Sequence, residues 1–165
     1  MQGRDHHGTN DGNDVYLGLR ANALDAANGI VRPTPAHPDV AGLVVDIPAD
    51  GGHATIVALA DNTTSLYTST GGGVIGAGEH PEVAAVTHRL LETVQRYLGR
   101  FDAPDSAALP PGDVVRLHLL APSGNSSADI PETVFWQGVP HELLPVVAAV
   151  HDVMTAIRTS TPPDR

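Results

Sequence analysis

The sequence predicts an α+β fold, an antiparallel sheet of about five strands flanked by three helices in the order α-β-β-β-α-β-β-α. Three observations predict it. Positions 41–70 hold three β-rich runs separated only by short turns, and strands joined so tightly pair antiparallel, because a parallel pair needs a crossover of about a dozen residues or more. Two stretches, beginning at Pro81 and near Pro140, carry apolar residues at helical spacing. Finally, 41% of the 165 residues are apolar and 4% aromatic, enough for one sizeable core of Ala, Val and Leu in one domain.

The expected layout is a disordered N-terminal tail over 1–13, a single domain over 14–158 and a frayed C-terminal tail over 159–165. Met1–Asn13 is polar and too poor in apolar side chains to pack. His6 and His7 are read as part of that tail rather than as a metal tract. Asp14 suits the N-cap of a helix over Val15–Ala27, with Leu17, Ala21, Leu24 and Ala27 on one face and Asn28-Gly29 as the stop. Pro33, Pro35 and Pro38 then make a stiff connector carrying His37. Strands are expected over Ala41–Ile47, His53–Ala60 and Thr63–Thr70, with turns at Pro48–Gly52 and at Asp61-Asn62, whose side chains tolerate positive φ.

Five glycines fall between Gly71 and Gly78, after which Pro81 at a first helical position and Glu82 in the first turn open a helix to about Leu98. Its inward stripe is Val83, Val86, Leu90, Val94 and Leu98. Phe101–Gly112 reads as a loop without core-forming pattern. Asp113–Leu120 alternates, Val115, Leu117 and Leu119 on one face against Arg116 and His118 on the other, so that second face is expected to be open to solvent or a partner. Ala121–Pro131 reads as a polar loop and Thr133–Gln137 as a fifth strand, placing Phe135 and Trp136 on opposite faces. A last helix runs from near Pro140 to about Arg158, striped by Leu143, Val147, Val150, Met154 and Ile157.

Nineteen Asp and Glu against nine Arg and no Lys give a formal charge of −10. The basic patch of a nucleic-acid binder is therefore not expected, nor affinity for an anionic membrane. The Arg, Ala, Gly and Pro usage resembles that of a GC-rich bacterial genome. Without cysteine there is neither disulfide nor thiolate site, which fits a cytoplasmic protein. No run approaches the roughly 20 apolar residues of a spanning helix, and the N-terminus lacks a signal-peptide core.

Gly71-Gly72-Gly73-Val74-Ile75-Gly76 matches G-x-G-x-x-G, but a dinucleotide fingerprint needs a parallel βαβ unit, and here the preceding strand belongs to a meander. A lysine-bearing phosphate loop is excluded by the absence of Lys. The glycines remain either a close-packing turn or a backbone nest for a small anion. Ligand-binding candidates are accordingly Gly71, Gly72, Gly73, Gly76, Tyr67 and His80. A hydrolytic alternative pairs Ser69 with His80 as nucleophile and base, with His118 as a further lining residue, although no G-x-S-x-G elbow is present. His141-Glu142 begins like H-E-x-x-H but Pro145 replaces the second histidine, so no metal ligand and no cofactor is assigned.

The run from Ser65 through the glycines to His80-Pro81-Glu82-Val83 resembles a motif of a family of small uncharacterised bacterial proteins, a similarity spanning Ala41–Leu98. In element order the chain is also similar to roadblock and longin-type domains, which implies helices on a five-stranded antiparallel sheet, dimerisation and regulation of small GTPases. Those domains place two strands before the central helix where this chain has three. The expected function is thus a non-catalytic interaction or regulatory domain, homodimeric or bound to another protein through the open sheet face, an edge strand or the first helix. The alternative is a small-molecule or anion site, or a hydrolase, at the glycine loop.

Overall fold

The computed structural model describes residues 8–161; Met1–His7 of the lead expected over 1–13, with His6 and His7, and Pro162–Arg165 of the tail expected over 159–165 lie outside the described residues, while the remainder of the lead, from Gly8, and Thr159-Ser160 of the tail are helical. The fold is α+β. Strands β1 (Gly42–Ala49), β2 (Gly52–Leu59) and β3 (Thr64–Thr68) form the expected meander, with Asn62 at φ 75° in the second turn. The first turn tightens to Asp50-Gly51, and Gly51 supplies the positive φ, 77°, that a two-residue hairpin favours.

The sheet has seven strands rather than about five, in the order β4-β3-β2-β1-β6-β7-β5, and every pairing is antiparallel. Two of the additions are short margins: β4 (Gly73–Val74) inside the glycine run and β5 (Ala103–Pro104) inside the segment read as patternless loop. β6 (Val114–Leu120) lies where expected. The strand after it lies earlier in the chain than expected. β7 is Ser126–Pro131, read as polar loop, whereas Thr133–Gln137 belongs to a short helix, α3 (Glu132–Gln137).

Of the four α-helices among the described residues, α1 (Gly8–Leu24) covers one face of the sheet, while α2 (Pro81–Arg96), α3 and α4 (Leu144–Ser160) cover the other. On that second face Leu43, Val45, Ile56, Leu117 and Ile130 meet Val83, Leu90, Val94, Val147 and Val150 in the main core. The helix α2 starts at Pro81 as expected, and Thr87 fastens it to β3 by an Oγ1–Oγ1 contact of 2.8 Å with Thr64. The proline connector is tied to α2 by reciprocal bonds between Asp39 and Gln95.

The first helix departs from expectation in start and phase. It begins at Gly8, so Asp14 is a helical residue rather than a cap. Its inward residues are Tyr16, Arg20, Ala23 and Leu24, while Leu17 and Ala21 face outward. The stripe slips because Arg20, a charged residue, occupies a core position that a purely apolar reading skips.

Candidate functional site

Alternation along β1 and its partners places Val44, Asp46, Thr55, Val57, Ser65, Tyr67, Arg116 and His118 on the α1 side of the sheet. A buried charge must be paired, and Asp46, fully buried, is held by three side chains. Arg20 donates from Nε to Oδ1 at 3.0 Å and from Nη2 to Oδ2 at 2.7 Å, Thr55 Oγ1 donates to Oδ1 at 2.8 Å, and His118 Nε2 lies 2.7 Å from Oδ2. The other ring nitrogen of His118 lies 2.9 Å from Asp105 Oδ1, so the imidazole bridges two carboxylates. Because Thr55 directs its proton to Asp46, Tyr16 donates to Thr55 across 2.6 Å.

This network seals a face expected to be open. His118 is fully buried, not solvated, and Arg116, paired with Asp129, is largely covered. The cover is the 101–112 segment, whose Ala107 carbonyl accepts from Arg20 Nη1, whose Ala108 carbonyl accepts from Arg116 Nη1 at 2.9 Å, and whose Phe101 is buried. Burial works to raise the Asp46 carboxyl, but hydrogen bonds from His118 and Arg20 outweigh it and hold the group at about 2. The cluster contains no nucleophile with solvent access; it fastens α1 and the 101–112 segment to the sheet.

The glycine run forms a hairpin that closes on its own strand. The Thr68 N–H donates to the Gly72 carbonyl at 3.1 Å, and β4 then pairs back on β3 with Gly73 opposite Tyr67. A Cβ at Gly73, where φ is 140°, would be driven into the Leu66 carbonyl and the Tyr67 backbone, so this approach requires glycine. The left-handed Gly76, φ 74°, then opens a 3₁₀ turn, Ala77–Glu79, leading to α2. These are packing demands, and the G-x-G-x-x-G spelling arises with no parallel βαβ unit beneath it.

Between this hairpin and α1 lies a cavity of about 410 Å³, lined by Gly12, Val15, Tyr16 and Leu19 from the helix, Tyr67 and Thr68 from β3, Gly71, Gly72 and Gly73, and Ile75. A second cavity of about 210 Å³ adjoins it, sharing Leu19, Tyr67 and Ile75 and reaching Asn22, Ala23, Val57, Leu59, Thr63 and Ser65. No charged side chain lines either among the described residues. Tyr67 is common to both, packs edge-to-face on Tyr16 with ring centroids 5.7 Å apart, and has a buried hydroxyl with no hydrogen-bond partner. Burial, reinforced by Tyr16 and Asp46, pushes its phenol well above the usual range, which keeps it a proton donor at neutral pH.

The sequence-derived candidates divide. Tyr67, Gly71, Gly72 and Gly73 line the cavity, but Gly76 and His80 do not. Ser69 accepts from the His53 N–H at 2.9 Å, at the β2 end of its turn, and His80 is an exposed N-terminal flank of α2. No hydrogen bond joins Ser69 to His80 among the described residues, so the hydrolytic pair is not assembled. Nor do three His, Asp or Glu side chains gather as a metal site requires among the described residues. The α1 wall of the cavity, Val15, Tyr16 and Leu19, was missed because the helix was phased on Leu17. Its signal was Tyr16 and Arg20 at i, i+4, matching Thr55 and Asp46 across a strand pair.

No helix among the described residues is long and apolar enough to cross a membrane. Comparison of the chain with protein-family models, curated proteins and solved structures finds no significant match.

Proposed function

We propose that this protein is a small-molecule binding protein of the bacterial cytoplasm whose ligand, neutral and mostly apolar, sits between α1 and the glycine hairpin. The carrying observation is the buried, unpartnered Tyr67 hydroxyl beside two apolar cavities. Native proteins rarely leave such a group unsatisfied, and an apolar pocket with a few polar groups is the usual form of a ligand site. An anion is disfavoured, since Arg20 on α1 is committed to Asp46 and no cation lines the cavities among the described residues.

Titration with the neutral apolar dye Nile red tests this. Saturable enhancement of dye fluorescence is expected, and is lost in Val15→Arg and Ile75→Arg, both at exposed lining positions, while thermal unfolding of each variant stays near wild type. Absence of saturable enhancement in the wild type, or its persistence in both variants, overturns the reading.

A homodimeric or partner-bound interaction domain is the second reading, and one observation favours it. Trp136 is 52% exposed, with Val139 43% exposed close by in the chain, and exposed aromatics are characteristic of interface anchors. Light scattering across a concentration series tests it: a constant monomer mass removes the dimer.

A further inference from the structure

Tyr67 lines both cavities and is 5% exposed, and its buried hydroxyl has no hydrogen-bond partner. The polar groups around it are engaged elsewhere. The Tyr16 hydroxyl donates to Thr55, and Thr68 Oγ1 donates to the Gly71 carbonyl at 3.1 Å. The Gly72 carbonyl accepts the Thr68 N–H. The chain thus brings one unpaired donor to this site, beside hairpin carbonyls that already have partners. That asymmetry has a chemical preference. A ligand oxygen that only accepts satisfies Tyr67, whereas a ligand with an O–H or N–H of its own buries a second donor in search of a partner. Of the two cavities the one at the hairpin, about 410 Å³, is the larger and falls within the range of small-molecule sites. Thr68 and the glycine backbone are its polar part, and Val15, Leu19 and Ile75 its aliphatic part.

Resting on the binding role proposed above, we infer that the ligand is a neutral carbonyl compound, a ketone or ester, seated in the hairpin cavity. Its carbonyl oxygen accepts from the Tyr67 hydroxyl, and its hydrocarbon body packs on Val15, Leu19 and Ile75. This occupant supplies the missing partner and brings no donor for the hairpin to satisfy. A hydrocarbon leaves Tyr67 unpaired, and an alcohol adds a donor. A carboxylate meets no cation in the lining among the described residues, and the protein's charge of −10 opposes it.

Calorimetric titration near neutral pH with three ligands of similar shape tests the assignment: propiophenone, the corresponding α-ethylbenzyl alcohol, and propylbenzene, which carries no oxygen. Each is titrated into the wild type and into Tyr67→Phe. That variant removes only the unpartnered hydroxyl and is expected to unfold thermally at or above the wild-type temperature. Propiophenone is expected to bind Tyr67→Phe at least about fivefold more weakly than wild type, the loss of one neutral hydrogen bond. Propylbenzene is expected to bind the variant no more weakly than wild type. In the wild type the alcohol is expected to bind at least about fivefold more weakly than the ketone. If Tyr67→Phe is silent toward propiophenone, weakens propiophenone and propylbenzene alike, or the alcohol equals the ketone in the wild type, this assignment falls while the apolar site stands. If none of the three binds the wild type, propylbenzene included, the assignment and the binding role fall together.

Discussion

Asp46 sits in a run of Val44, Val45 and Ile47 and is as deeply buried as they are. A charge within an apolar strand demands a partner, but Arg20, His118 and Thr55 come from other elements and no spacing in the sequence announces them. Removing one member leaves the others uncompensated. Asp46→Ala is expected to cost about 3–5 kcal/mol in urea unfolding at neutral pH. Replacing the Arg20–Asp46 pair by Met and Leu together is expected to cost much less. Acid makes a separate test. The folded Asp46 carboxyl, at about 2, lies below the ordinary 3.8, so its contribution is fully present above about pH 4 and is lost as pH falls through the folded value. That contribution is on the order of 2 kcal/mol, and the acid-induced fall in urea midpoint is expected to be smaller in Asp46→Asn than in wild type.

Among the elements, those defined by local chemistry were legible. The meander, the Pro81 start of α2 and the Asn62 turn each depend on residues adjacent in sequence. β7 and α3 were exchanged because each depends on context. Ser126–Pro131 is polar, yet it is held along its length by β6, and by β5 at Ser126 and Ser127, and turns Ala128 and Ile130 inward. Thr133–Gln137 is β-branched and aromatic, yet it coils so that Val134 and Phe135 are buried, and left-handed Gly138, φ 68°, caps it. The glycines of the central run likewise have separate duties. Gly78 lies so close to Asn62 that an added Cβ would be driven into the carbonyl of that turn, whereas one at Gly99 meets nothing. Gly78→Ala is expected to destabilise by about 3 kcal/mol or more. Gly99→Ala is expected to stay within about 0.5 kcal/mol, with denaturant unfolding as the check.

Across the whole molecule, helices on one side and α1 with the 101–112 segment on the other leave little of the sheet uncovered. The alternation along β6 foretold the two faces correctly, but not that the polar one would be covered by a segment lacking any recognisable pattern. Trp136, the sole tryptophan, reports on what remains outside. Its emission is expected near that of hydrated indole and open to acrylamide quenching; a blue shift on concentrating the protein marks association through that surface.

The two margins of the sheet, β4 and β5, are two residues each, one formed of Gly73 and Val74 and the other ending in Pro104. Neither offers a ladder of free amides long enough to template another chain. Crowded solutions of this protein should therefore resist seeding into cross-β fibrils through these two margins.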